Sequence, residues 1–317
     1  MNRNRRFLLL SVLAVTLSPF IFGSPAVQST ALQTNPGECR VTTSGKEKPD
    51  RVPAQEVWEA TFRRISADPS TAVLAGIDGP RALRLATSGA SALARANALR
   101  QSVPTAPTAG LPRQVSQDRE LVIADSILDA RDRELRDLST DEFLQLTDYA
   151  LETASTLEFV IPVTGRIVAD DSGNRYCEAV AKGDEYPHLV TEHEVWRLLF
   201  INLTNAADSA NERFGGFLDI DFTRMTREMR MPIDDIKLLF RVARDTVNKE
   251  KELSATSAGA TPAEQVKQLE VSRLKLVMSA RHAILRSIGA ESWRGFMRYV
   301  DQARINTTAS FTSPLPQ

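Results

Sequence analysis

The sequence has none of the short motifs that commonly mark an enzyme active site. It contains no G-x-S-x-G nucleophile elbow, no P-loop, no G-x-G-x-x-G turn and no C-x-x-C-H haem attachment site. His193 and Glu194 match the start of the zinc motif H-E-x-x-H, but Arg197 stands where the second histidine belongs. These absences exclude the enzyme classes that depend on those motifs. They leave open a site built from residues that are far apart in the sequence.

Cysteine is scarce, since Cys39 and Cys177 are the two in the chain. No C-x-x-C motif is present to activate a thiolate, so redox catalysis is not expected. Two cysteines in an exported chain are more often paired than free, and a Cys39–Cys177 disulfide is therefore predicted. The alternative is that each cysteine is a small apolar residue buried in its own part of the fold.

The chain also lacks a strong charge of one sign. It has 39 basic and 40 acidic residues, and removal of a leader with three arginines would leave 36 basic residues and a net charge of −4. A nucleic-acid-binding protein would show a basic face, so nucleic acid is not an expected partner.

Residues 1–31 have the composition of a signal peptide. Arg3, Arg5 and Arg6 precede the apolar run Phe7–Phe22, and small residues follow. The run is shorter than the roughly 20 residues that span a bilayer. An uncleaved membrane anchor is the alternative. We expect a protein exported to a bacterial periplasm or the extracellular space, with no stable membrane span after signal cleavage.

What the sequence does contain is a segment that occurs twice. Cys39–Ile65 and Cys177–Leu203 align without a gap at an offset of 138, with nine identities in 27 positions. At an offset of 150, Leu128–Tyr149 also aligns with Met278–Tyr299. Such self-similarity indicates an internal duplication. We predict two homologous helical units, residues 32–160 and 161–305, and a disordered tail at residues 306–317.

The local patterns are helical almost throughout. Trp58, Phe62 and Ile65 recur at steps of four and three residues, which gives one apolar stripe on a helix. Ser139 and Glu142 form a capping box that begins a new helix after the long one that starts at Gln114. These two helices, and the matched helices Val266–Ile288 and Ala290–Ala303, are each predicted to form an antiparallel αα-hairpin. Strand character is confined to Gly165–Val180. The predicted fold class is all-α: two units of αα-hairpins, with one short β-hairpin between them.

The candidate site residues are few. Arg131 and Arg281 occupy matched positions. They are either paired clamps for an anion or carboxylate, or arginines whose stems lie on the core and whose guanidinium groups bridge to a glutamate or a helix C-terminus. His188 and His193 are the candidate metal ligands, together with Glu192, although the favoured explanation is that they are solvated residues at a helix start. No cofactor is predicted.

These observations favour an exported, non-catalytic helical binding or interaction protein. Its partner would be an unknown protein or a second copy of the chain, and a structural component of the envelope is a related possibility. The alternative is an enzyme or metal-dependent protein with its site in the crevice between the two repeat units.

Overall fold

The computed structural model describes residues 38–102, 113–169, 173–214, 226–227, 229–256 and 262–315. The signal peptide predicted at residues 1–31 lies outside these residues. No helix in the described part of the chain is long and apolar enough to cross a membrane.

The described part of the chain is mostly helical, as predicted. The described residues between 38 and 169, called here the first half, form two strands that enclose a 3₁₀-helix and five helices: β1 (Glu38–Ser44), the 3₁₀-helix Pro49–Arg51, α1 (Ala54–Ala67), α2 (Ser70–Leu74), α3 (Gly79–Gln101), α4 (Arg113–Leu135), α5 (Thr140–Ala154) and β2 (Glu158–Ala169). Residues 173–315, the second half, follow a similar order: β3 (Arg175–Lys182), the 3₁₀-helix Pro187–Leu189, α6 (Glu192–Phe214), α7 (Ile233–Thr256), α8 (Pro262–Ser287), α9 (Ala290–Ile305) and β4 (Thr308–Pro314).

The predicted helix signals are in place. Trp58, Phe62 and Ile65 are buried along α1, so the apolar stripe faces the core. The capping box at the start of α5 is complete, because the Ser139 hydroxyl accepts from the Glu142 amide and the Glu142 carboxylate accepts from the Ser139 amide. These bonds satisfy amides that have no partner within the helix.

The all-α prediction is incomplete, because the chain also forms a small antiparallel sheet in the order β1-β2-β3-β4. The predicted β-hairpin is its centre, where β2 and β3 pair up to Ala169 and Arg175. β1 and β4 were missed because they are short and rich in threonine and serine. β4 also corrects the predicted disordered tail: Thr308–Pro314 pairs with β3, which buries Ala309 and Phe311.

The predicted disulfide is confirmed. Cys39 on β1 is bonded to Cys177 on β3, with their Cα atoms 5.9 Å apart. The bond passes beside Gly165 of β2, where an added Cβ atom would lie 2.7 Å from the Cys177 Sγ atom. Glycine at this position therefore leaves room for the cross-link.

The helix pairing differs from the prediction. The expected αα-hairpins were α4 with α5 and α8 with α9, but α4 packs mainly on α3, and α8 packs on α7. α5 instead packs on α1 and on α8 of the second half. The reason is that α5 buries Phe143 and Leu146 in a core that both halves share. The unit boundary predicted at residues 160 and 161 falls inside β2.

Candidate functional site

The two halves meet around reciprocal helix contacts. α4 of the first half contacts the 3₁₀-helix Pro187–Leu189, and α8 of the second half contacts the 3₁₀-helix Pro49–Arg51. Each long helix thus reaches the segment that precedes the first long helix of the other half. Arg131 on α4 and Arg281 on α8 lie at this junction, and both side chains are 1 % exposed.

Arg131 and Arg281 belong to a buried ion cluster with Asp132 and Glu192. The Arg131 guanidinium donates to both Glu192 oxygens, at 2.5 and 2.9 Å, and its Nε donates to Asp132 at 2.8 Å. Arg281 Nη2 donates to the other Asp132 oxygen. Arg281 Nε lies 2.8 Å from Glu192 Oε1, an ion-pair contact without hydrogen-bond geometry. The cluster has two positive and two negative charges, and it joins the halves in both directions.

The electrostatics of Glu192 follow from these contacts. Burial alone would raise the pKa of its carboxyl, but the charges of Arg131 and Arg281 outweigh burial and hold that pKa at about 2. The pKa of Arg131 is raised in turn, because Asp132 and Glu192 outweigh the opposing effect of burial. Glu192 and Arg131 are therefore both charged at neutral pH.

Three tryptophans of the aligned segments, Trp58, Trp196 and Trp293, cover the two arginines. The Arg131 guanidinium lies 5.7 Å from the Trp58 ring centroid, and the Arg281 guanidinium lies 5.5 Å from that of Trp196 and 5.0 Å from that of Trp293. Such cation–π contacts favour a desolvated guanidinium. Among the described residues, Arg281 Nη1 and Trp196 Nε1 are buried without a hydrogen-bond partner.

A cavity of about 70 Å³ lies next to this cluster. Its lining is mainly apolar and comes from both halves: Pro49, Val52, Ala54, Val57, Trp58, Leu135, Phe143, Ala150, Leu151, Leu274 and Met278. Its polar lining residues are Asp50, Thr147, Thr191, Glu192 and His193. The cavity is thus an apolar space with a group of oxygen and nitrogen atoms in part of its wall.

Asp50 and His193 are the ionisable residues of the described lining that do not belong to the ion cluster. Asp50 is 7 % exposed and lies 3.4 Å from Arg51 Nε, while Arg51 Nη1 donates to Glu194 at 2.6 Å. Burial lowers the pKa of His193, against the opposing effect of the Glu194 and Asp50 carboxylates. His193 is therefore neutral at neutral pH and adds no positive charge to the cavity wall.

The alignment of the two halves relates this cavity to side-chain size. The alignment pairs Ala54 with Glu192 and Phe143 with Trp293, and in each pair the residue of the second half has the larger side chain. Trp293 stacks on Trp196 with ring centroids 5.8 Å apart. The first half has smaller side chains at both positions, and this leaves space beside Trp58.

The sequence candidates are thus partly brought together. His193 lines the cavity, but His188 does not; its Nδ1 is buried without a hydrogen-bond partner among the described residues. No group of three or more His, Cys, Asp or Glu residues in the described ranges could hold a metal ion. The structure gives Arg131 and Arg281 carboxylate partners inside the protein. It does not test whether either arginine binds a ligand, so that role stays a prediction.

Sequence reasoning missed Asp50, Asp132 and His282. His282 stacks on Phe143 with ring centroids 4.1 Å apart, and its Nε2 donates to the Leu135 carbonyl at 2.8 Å. Burial lowers the pKa of His282, so it is a neutral donor here. The available signal was the alignment, which pairs Asp132 with His282 directly after the matched arginines.

The chain matches no protein-family model, no curated protein and no solved structure.

Proposed function

We propose that this chain is an exported, non-catalytic helical binding protein whose ligand occupies the cavity between its two halves. The observation that carries the proposal is the cavity itself: a partly enclosed apolar space, lined from both halves, with a few polar groups in its wall. Ligand sites commonly have this composition, because apolar walls supply binding energy and a small number of polar groups fix orientation.

The adjacent ion cluster supports a binding role over a catalytic one. Arg131 and Arg281 are neutralised by Asp132 and Glu192, and an arginine does not lose its proton in a protein. The low pKa of Glu192 makes its carboxylate a weak general base, and the cluster offers no free positive charge for a transition state. Its effect is to fix the two walls of the cavity relative to each other.

Export and duplication are part of the same proposal. A disulfide such as Cys39–Cys177 is typical of proteins in oxidising compartments, and this supports the predicted signal peptide. The similar element order supports two homologous units. So does a matched turn contact: the Gly45 amide donates to the Leu157 carbonyl at 2.9 Å, and the Gly183 amide to the Thr307 carbonyl at 2.7 Å.

An enzyme or metal-dependent protein is the second candidate, and it would use the same cavity. Asp50 and His193 favour it, since a carboxylate and a neutral imidazole in one wall could transfer a proton or bind a metal. Elemental analysis of protein purified from its host without chelators would detect a resident metal. A stoichiometric metal that disappears in a His193→Gln variant would place this candidate first.

The binding proposal is tested by filling the cavity. Ala54 is the first residue of α1 and lines the cavity, so Ala54→Leu adds three carbon atoms to the space without removing a contact. We expect the variant to fold with unchanged or higher stability and to lose a ligand that native mass spectrometry detects on the wild type. Ala94→Leu, on the exposed side of α3, is the matched control and should keep the ligand.

Native mass spectra of protein from the host envelope give the first reading, and a panel of small molecules in thermal-shift assays gives the second. A ligand retained by Ala54→Leu as well as by Ala94→Leu would show that binding takes place elsewhere. The absence of any ligand or thermal shift in the wild type would refute the proposal.

A further inference from the structure

We propose that the ligand of the cavity is a small primary amine with a short alkyl chain, held as its ammonium ion with Asp50 as the counter-charge. This inference rests on the binding function proposed above and adds the chemical class of the ligand. It is carried by the charges of the lining residues, by the apolar walls and by the volume.

The charges of the lining residues select against anions. Among the described residues that line the cavity, Asp50 and Glu192 carry carboxylates, and none is a lysine or an arginine. An anionic ligand would have to approach these carboxylates without a positive side chain in the wall. A cation would instead gain an attraction that is strong in a partly desolvated site.

Asp50 is the carboxylate available for a ligand. Both oxygens of Glu192 already accept from Arg131. The Arg51 Nε atom lies 3.4 Å from Asp50, and Arg51 donates its short hydrogen bond to Glu194 instead. The Arg51 charge is thus shared between two carboxylates, and Asp50 can accept a charge-assisted hydrogen bond from an ammonium group.

The groups around His193 add to the negative potential. Glu194, Asp50 and Glu270 interact with its ring, and Arg51 is the opposing positive charge. The neutral imidazole also offers a nitrogen lone pair to a donor. An ammonium group carries three donors and no acceptor, so it matches a wall of carboxylate, imidazole and hydroxyl groups better than an alcohol does.

The volume and the apolar walls of the cavity limit the size and polarity of the rest of the ligand. At about 70 Å³ the cavity has roughly half the volume of an engineered apolar cavity of about 150 Å³ that admits benzene. About three or four carbon atoms therefore fit inside. Val52, Val57, Phe143 and Met278 give an apolar lining for such a chain.

The experiment compares three probes of equal length, n-butylamine, n-butanol and butyrate, by ligand-observed NMR titration of the full chain at neutral pH. We expect butylamine to bind most tightly, butanol about tenfold more weakly and butyrate not measurably. About tenfold is the loss expected for one charge-assisted hydrogen bond. Ala54→Leu should abolish the binding of butylamine.

A charge variant tests the role of Asp50. Asp50→Asn keeps the shape of the side chain, and it should weaken butylamine about tenfold while leaving butanol unchanged. Asp245→Asn removes an exposed carboxylate from α7 and is the matched control, with no expected effect. Should Asp50→Asn fail to fold, the ranking of the three probes on the wild type still decides the proposal.

The outcomes separate this inference from the proposed function. If butanol or butyrate binds as tightly as butylamine and Ala54→Leu blocks it, the cavity is a ligand site but the amine assignment is wrong. Equal binding of butylamine to the wild type and to Asp50→Asn also refutes the assignment. If no probe binds, the amine assignment fails, and the native mass spectra and thermal-shift panel described above decide the binding function separately.

Discussion

Replacement of Glu192 by glutamine tests the physical account of the junction between the halves. Glu192→Gln keeps the size of the side chain and removes its charge. Arg131 and Arg281 would then share Asp132 alone, which leaves one uncompensated positive charge in a site where both arginine side chains are 1 % exposed.

Two independent arguments give the same magnitude. Removal of one partner from a buried ion pair typically costs about 3–5 kcal/mol, because the remaining charge stays buried without compensation. The depression of the Glu192 pKa from its ordinary 4.5 to about 2 corresponds to about 3 kcal/mol of stabilisation of the charged form. We therefore expect the free energy of unfolding to fall by about 3 kcal/mol or more.

Urea unfolding followed by circular dichroism measures this change at pH 7. Glu178→Gln is the matched control, because Glu178 pairs at 2.7 Å with Arg166, whose side chain is 71 % exposed. Glu178→Gln should lower the free energy of unfolding by less than about 1 kcal/mol. The double variant Glu192→Gln/Arg281→Met removes the unpaired charge and should be no less stable than Glu192→Gln alone. A loss below about 1 kcal/mol in Glu192→Gln, or additive losses in the double variant, would refute the reasoning.

The remaining predictions concern pH, the cross-link and one glycine. The Glu192 carboxyl has a lower pKa in the folded chain than in the unfolded chain, so its charge stabilises the fold above the pKa of the unfolded chain, and this stabilisation is lost as pH falls. The difference in the free energy of unfolding between the wild type and Glu192→Gln should therefore close between about pH 5 and about pH 2. The free energy of unfolding of the variant Cys39→Ser/Cys177→Ser, measured in urea, should be about 5 kcal/mol lower than that of the wild type, because the disulfide closes a loop with a sequence separation of 138. An unchanged unfolding midpoint would show that the disulfide does not stabilise the fold. Gly45→Ala places a Cβ atom 1.8 Å from a carbonyl oxygen of α5 and should lower the melting temperature by an amount equivalent to about 2 kcal/mol. Gly289, the N-cap of α9, has open space around it, so Gly289→Ala should lower the free energy of unfolding by less than about 1 kcal/mol, the loss from a poorer N-cap. Equal effects of the two variants would contradict the steric account.

Local patterns predicted much of the fold. The apolar stripe of α1, the capping box of α5 and the hairpin of β2 and β3 are each encoded within a few residues of one another, and the structure confirms all three. The disulfide was predictable for another reason, since a chain with two cysteines has one way to pair them. The strands β1 and β4 were not predicted, because their short, polar sequences become strands through pairing with β2 and β3, which lie far along the chain.

The candidate site was predicted less completely. Arg131 and Arg281 were singled out by the alignment, and one of the two interpretations bridged each of them to a glutamate or a helix C-terminus. Glu192 is such a glutamate, but neither Glu192 nor Asp132 could be named as a partner from the sequence. Arg131 and Glu192 are separated by 61 positions, and Arg281 and Asp132 by 149. No periodicity connects residues at such distances, so no sequence pattern could have paired them.

The sequence by itself determined the helical character of this protein, its cysteine pairing and the matched residues that the structure places at the junction of its halves. These properties follow from short-range periodicity, from composition and from the alignment of the chain with itself. The tertiary structure alone decided which helices pair, how the ion cluster is closed and where the cavity lies. The physical reason is that a cavity is a shortfall of packed volume between Ala54, Phe143 and residues of the other half, and a sequence specifies side-chain volumes but not which of them meet.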